Sequence, residues 1–236
     1  MIISRTPLRI SFVGGGTDIG DYYRLNGGAV ISTAIDKYIY ITINKRFDDT
    51  IRVSYSKTEI VNNVDKIKHD IVRETMKVVG VTKGVEITSI ADVPSKGTGL
   101  GSSSAFTVGL LNALYAFKDQ HISAKQLAEE ACRIEIDTLK EPIGKQDQYI
   151  CAYGGFQHIK FNPDETVFVN HIICKKNVID KLKNNLMMFY TGILRRSNMI
   201  LSEQVNNIPN KKGIMDKMAE LTSEMKTSLI IIYFSL

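Results

Sequence analysis

Cysteine is scarce in this chain of 236 residues, with Cys132, Cys151 and Cys174 the only three. An odd number without CxxC spacing excludes a disulfide framework and a zinc knuckle. The thiols are expected to be buried and to belong to a reducing, cytoplasmic setting. The four histidines, His69, His121, His158 and His171, share no ligand spacing and sit in no nucleophile motif, so they read as structural. No apolar run reaches the ~20 residues that a bilayer span requires. Met1 to Phe12 lacks the basic region, apolar core and small-residue cleavage site of a secretory signal. No membrane partner is therefore expected. Thirty basic against 25 acidic residues leave a net +5, spread without a long single-sign block. Charge alone implies no nucleic-acid partner, and there is no basic stripe or RNA motif. A small anionic substrate is compatible. Internal repeats and low-complexity tracts are also missing.

What is present is enough for an ordinary core: 44% of residues are hydrophobic and 23% charged. Ile2 to Val13 alternates and breaks at Gly14-Gly15-Gly16-Thr17-Asp18, the pattern of a strand delivering a tight loop. Ala29 to Arg46 is rich in Val, Ile, Thr and Tyr and reads as one long strand or a pair; Val53 to Ile60 reads as another. Asp65 to Val79 has helical spacing, with Gly80 where a stop belongs. Val85 to Val93 returns to strand composition. Ser102 to Phe117 is helical and opens with hydroxyl residues suited to capping. Ser123 to Asp137 and the shorter Gly144 to Ala152 are further helices. Strands and helices mixed at irregular intervals predict an α+β layered fold. Asn162 to Lys183 reads as a passage to a second, smaller unit beginning near Leu186.

The strongest local signal is Pro94-Ser95-Lys96-Gly97-Thr98-Gly99-Leu100-Gly101-Ser102-Ser103-Ser104-Ala105, a glycine-rich loop running into a helix. Glycines let backbone approach an anion closely, and the first-turn amides of a helix are unpaired donors reinforced by its dipole. Serine hydroxyls add donors and a magnesium ligand. The bland alternative is a flexible loop before a capped helix. The sequence has no G-x-x-x-x-G-K-[ST], and Ser102 stands where a dinucleotide fingerprint has its third glycine.

This loop resembles the second motif of the GHMP kinases, the family of galactokinase, homoserine kinase and mevalonate kinase. Arg5-Thr6-Pro7-Leu8-Arg9-Ile10-Ser11-Phe12-Val13-Gly14-Gly15-Gly16-Thr17-Asp18 resembles the first motif of the family's sugar kinases, and its triple glycine is most similar to the D-glycero-D-manno-heptose 7-phosphate kinases. Ile143-Gly144-Lys145-Gln146-Asp147-Gln148-Tyr149 and Tyr190-Thr191-Gly192-Ile193, followed by Arg195, extend the similarity.

The resemblance implies a two-domain GHMP kinase fold with a ribosomal-protein-like amino-terminal domain over 1–183. It implies ATP and Mg2+ as cofactors, and a sugar phosphate as the small-molecule partner. Asp147 then falls at the catalytic aspartate, with Arg9 beside it to stabilise the transferring phosphoryl group or, alternatively, to make a structural ion pair. Glu135, 12 positions before Asp147, matches the magnesium-binding glutamate. Ser103 is the best match for the metal-ligating serine, with Ser102 and Ser104 left open. ATP is implied to lie on Pro94, Lys96, Gly97, Gly99, Leu100, Gly101, Ser102, Ser103 and Ser104. The sugar is implied to lie on Gly15, Gly16, Thr17 and Asp18, although Asp18 would equally serve as a turn aspartate for its own loop. Arg195 and Arg196 are candidates for a second phosphate; solvated surface arginines are the alternative.

The family's third glycine-rich motif has no counterpart, since no glycine follows Gly213. Residues 184–236 are therefore expected to form an incomplete carboxy-terminal domain, and the apolar stretch Thr227 to Leu236 to pack on exposed surface or to mediate homo-oligomer formation. The expected function is phosphorylation of the anomeric hydroxyl of D-glycero-D-manno-heptose 7-phosphate. A fucose or galactose kinase, or a non-catalytic binding remnant, are the alternatives.

Overall fold

The long strand β2 (Gly28–Lys45) is the spine of the molecule. In its second half Ile39, Ile41 and Ile43 alternate inward with Tyr40 and Thr42 between them, the period-2 pattern of a strand with one buried face. The computed structural model describes residues 1–94, 98–189, 207–208 and 211–234. Within it β1 (Ile2–Val13) runs antiparallel along one edge of β2, from Ile2 opposite Ile43 to Val13 opposite Ile31. The other edge is shared by β5 (Val85–Ala91) on the second half and β6 (Phe156–Phe161) on the first. β3 (Ile51–Ser54) lies parallel to β5, β4 (Thr58–Val61) pairs with β3, and β7 (Val167–His171) pairs with β6. The stretch Val53 to Ile60, expected as one strand, is thus a tight hairpin.

One face of the sheet carries α2 (Asp70–Val79), α3 (Ser102–Phe117), α4 (Ala124–Cys132) and α5 (Gln146–Tyr153). Gly80 stops α2 in the left-handed conformation at φ 72°, as its sequence predicts. α3 is apolar nearly all round because it lies between the sheet and the other three helices: Val108, Leu110, Leu111, Ala113 and Leu114 are all buried. The helix expected over 123–137 is regular only to Cys132, then widens into a π turn at Arg133–Thr138. Residues 162–183, read as a passage, contain β7 and the start of α6 (Lys176–Asn184).

The opposite face receives α7 (Lys212–Phe234), whose Leu229 meets Ile31, Phe156 and Ile172. Its Met215 packs with Ile19 and Tyr22, from the end of the first-motif loop and α1 (Gly20–Asn26).

α3 approaches β1 so closely that Gly109 has no room for a side chain. A Cβ there would lie 2.6 Å from Thr6 Oγ1, and the Gly109 carbonyl accepts the Ser4 hydroxyl at 2.8 Å. Gly109→Ala is expected to lower unfolding free energy by about 1–3 kcal/mol, as overpacking does, read as a lower urea midpoint at unchanged slope.

A second tie joins three elements at the β6–β7 turn. Glu165 accepts from Tyr23 Oη at 2.6 Å, from Arg24 Nε at 2.6 Å and from Lys145 Nζ. Burial alone would push this carboxyl up, but the Lys145, Tyr23 and Arg24 donors more than offset it and hold it at about 2. The folded value lies below the ordinary 4.5, so the stabilisation is present above pH 4.5 and is lost as pH falls through about 2. With the Glu165 side chain 45% exposed, screening limits it to about 1 kcal/mol. Glu165→Gln should cost that much at pH 7, and the gap to the parent should close on acid titration followed by circular dichroism.

Candidate active site

β1 is irregular at the candidate residues: its pairing with β2 shifts between Pro7 and Arg9 and again between Ser11 and Val13. Such bulges re-aim side chains. Arg9 grips Asp147, at the first turn of α5, with both arms: Nε to Oδ1 at 2.6 Å and Nη2 to Oδ2 at 2.9 Å. Its Nη1 donates to the Gly99 carbonyl at 2.7 Å, and its backbone amide to the Leu100 carbonyl at 3.1 Å. The glycine loop is thereby fastened to the ion pair. Burial opposes the Arg9 charge, but the Asp147 carboxylate more than offsets it and the guanidinium is held above its usual range. Gly101 lies on this pair at φ 75°, and a Cβ there would be 3.2 Å from both Arg9 Cγ and Asp147 Oδ2.

Gly101, rather than a serine, is the residue that caps α3, and no side chain caps the helix. The hydroxyls expected to cap it are free for other work. Ser103 donates to Glu135 Oε1 at 2.8 Å, and Gln148 Nε2 donates to Glu135 Oε2 at 2.7 Å. Glu135 projects from the π turn and is fully buried. Desolvation pushes its carboxyl up, Ser103, Gln148 and Ser104 pull it back by hydrogen bonding, and the Asp147 charge pushes it up again. Two polar atoms nearby, Gln148 Oε1 and Thr98 Oγ1, are buried without a partner.

The first-motif loop is held from within. Thr17 is fully buried; its hydroxyl donates to the Gly14 carbonyl at 2.8 Å and accepts from the Ala29 amide at 3.1 Å. Asp18 accepts from the Gly16 amide at 2.9 Å, the Gln146 amide at 3.0 Å and Gln146 Nε2 at 3.2 Å. Burial raises its carboxyl; the Gln146 and Gly16 amides work in the opposite direction. Asp18 borders a groove of about 510 Å³ that also includes Lys145, Arg133 and Glu141. Gly15 lies 3.8 Å, measured from a built Cβ, from Gln146 Nε2.

Asp147, Arg9, Gly99, Leu100 and Gly101 thus meet at one point, with Ser102, Ser103, Ser104 and Glu135 grouped at the start of α3. Pro94 is exposed on the approach to the loop. Lys96, Gly97, Arg195, Arg196 and the stretch 190–193 lie outside the described residues. Two polar residues, Gln146 and Gln148, were given no role from sequence. Gln146 accepts the Ser11 hydroxyl at 2.7 Å while donating to Asp18, and Gln148 holds Glu135. Their only signal is position, one residue either side of Asp147.

The family of GHMP kinase N-terminal domains matches residues 59–155. A D-glycero-alpha-D-manno-heptose 7-phosphate kinase of Campylobacter jejuni is 30% identical over 227 residues, covering 90% of this chain and 66% of that protein. A galactokinase of Pyrococcus furiosus is 28% identical, covering 82% of this chain and 54% of its own length. An L-fucokinase/L-fucose-1-P guanylyltransferase of Bacteroides fragilis is 25% identical, covering 96% and 27%. The chain thus spans about two thirds or less of the length of these curated relatives. Among solved structures, a D-glycero-D-manno-heptose 1-phosphate kinase from Bacteroides thetaiotaomicron superposes with a TM-score of 0.75 at 24% identity, over 93% of this chain and 74% of the other. Streptococcus pneumoniae phosphomevalonate kinase superposes with 0.75 at 15% identity, over 98% and 75%. At these identities the superpositions speak for the fold. Sequence match, shared α+β fold and the two glycine-rich loops lead to one assignment, that this chain belongs to the GHMP kinase family.

Proposed function

We propose that this chain serves an ATP-dependent sugar kinase that phosphorylates the anomeric hydroxyl of D-glycero-D-manno-heptose 7-phosphate, with residues 1–183 as the nucleotide- and substrate-binding domain and 184–236 as part of a second domain. The observation that carries this reading is the Arg9–Asp147 pair lying directly against Gly101, where the loop enters α3. A phosphate chain on the loop and on the uncapped first turn of α3 would bring its terminal group beside that carboxylate.

Asp147 then orients the acceptor hydroxyl and takes its proton as the oxygen bonds to the γ-phosphorus and the bond to the departing ADP breaks. Arg9 holds the carboxylate in one orientation and places positive charge beside the phosphoryl group. The donor set around Ser103 and Glu135 is two hard oxygens, with the orphaned Gln148 Oε1 close by. It fits Mg2+, which suits one or two protein oxygens together with phosphate oxygens. No described group of three or more His, Cys, Asp or Glu could hold a metal by itself. Magnesium bound there would neutralise charge on the phosphates. Glu135 would hold its place through Gln148, and Ser103 bridges the buried carboxylate and the loop.

The heptose phosphate acceptor is favoured over galactose or fucose by the 30% identical relative, which covers 90% of this chain. ADP release should be measured with ATP and magnesium against D-glycero-D-manno-heptose 7-phosphate, galactose and fucose. The expected outcome is turnover with the heptose phosphate, reduced about 10²–10⁴-fold in Asp147→Asn. ATP binding without turnover on any acceptor would reduce the chain to a binding module. Turnover on galactose or fucose alone would reassign the acceptor. Glu135→Gln is expected to raise the magnesium concentration needed for half-maximal rate, and Arg9→Lys to lower kcat through loss of the two-armed grip.

A further inference from the structure

The sheet face opposite the proposed transfer site holds a second groove, of about 530 Å³, between the first half of β2, β6 and α7. His158 and Lys160 enter it from β6, two residues apart and so on one face of the strand. Lys226, Ser223 and Thr227 enter it from α7. Among the described residues no carboxylate lines it, whereas the groove beside Asp18 mixes Lys145, Arg24 and Arg133 with Asp21, Glu129 and Glu165.

The cationic groups here lack the partners that their counterparts in the other groove have. Neither Lys160 nor Lys226 forms an ion pair with a described carboxylate, and the Ser223 hydroxyl bonds to no described residue. His158 is only 8% exposed, and its Nδ1 is buried with no hydrogen-bond partner. Burial, followed by the charges of Lys226 and Lys160, pushes its imidazole down, and both lysines line the groove with it. Two ammonium groups lining one groove with no described carboxylate between them repel each other. A small oxyanion would answer that repulsion, its oxygens accepting from Lys160, Lys226 and Ser223 beside the His158 ring.

We propose that this groove is a second anion site, separate from the loop and Asp147, which takes the phosphate group of a small phosphorylated molecule between Lys160, Lys226 and His158. The inference does not depend on the kinase reading, because none of these residues belongs to the Arg9, Asp147, Ser103 and Glu135 cluster.

The test is titration of the full chain with inorganic phosphate, and separately with glucose 6-phosphate, following the His158 ring resonances by NMR. The local probe separates this site from phosphate bound at the start of α3. A saturable shift is expected, with affinity weakened at least about tenfold in Lys160→Ala/Lys226→Ala and undiminished in Asp147→Asn. Tighter binding of glucose 6-phosphate would identify a phosphate ester as the natural occupant, and equal binding the free ion. Lys226→Gln, which keeps the aliphatic stem, serves if the double variant unfolds, and should also weaken the response. His158 resonances unmoved up to about 10 mM of either anion, or an unchanged affinity in the folded lysine variants, would overturn the site.

Discussion

The arrangement of the candidate site depends on one ion pair. Arg9 and Asp147 come from elements 138 positions apart in the chain, and both side chains are largely shielded from water. A half-buried carboxylate or guanidinium is tolerated when its partner meets it with two parallel hydrogen bonds, and removing either leaves the other stranded. Because the same guanidinium and the amide behind it hold the carbonyls of Gly99 and Leu100, the pair sets the position of the glycine loop relative to α5. β1, the loop and α5 therefore cannot shift independently.

Around that pair the packing follows from close approach. Gly109 lets α3 settle onto β1 through Ser4 and Thr6, and Gly101 lets the loop lie on the ion pair. With α3 so placed, its first turn opens beside Asp147 with amides that no side chain caps. The π turn after α4 then turns Glu135 inward to meet Ser103 and Gln148. A carboxylate in so dry a position is unfavourable by itself, and the hydrogen bonds from Ser103 and Gln148 compensate in part. Such arrangements, in which burial and a neighbouring carboxylate push a titratable group away from its ordinary range, mark functional sites more often than random surface.

The two faces of the sheet contrast in charge. On the α3 side, positive groups are matched by carboxylates within hydrogen-bonding distance: Arg9 by Asp147, and Lys145 and Arg24 by Glu165. On the α7 side, His158, Lys160 and Lys226 gather without such matches. Period-2 alternation along β6 produces this division, since Phe156, His158 and Lys160 face α7 while Ile159 and Phe161 join the core beneath α3.

Local pattern was sufficient for β1, for the length of β2, for α2 with its Gly80 stop and for α3, because their spacing is decided by a single buried face or by a terminating glycine. The two glycine-rich loops were equally legible, since few residue types permit that backbone. The hairpin hidden in Val53 to Ile60 and the π turn within 123–137 were not, as neither has its own local signature and both arise from pairing and packing with distant elements. The same holds for side-chain partners. Asp147, Glu135 and Ser103 could be picked out through the resemblance to the GHMP kinase motifs, but that Gln146 and Gln148 support Asp18 and Glu135, that Gly101 and not a serine begins α3, and that Thr17 faces inward depended on contacts between separate elements or on the backbone path between them. Sequence determined which groups were available for phosphate and metal chemistry; only tertiary structure decided which of them meet, because hydrogen bonds of about 3 Å are set by how β1, α3 and α5 pack, and no local pattern encodes that packing.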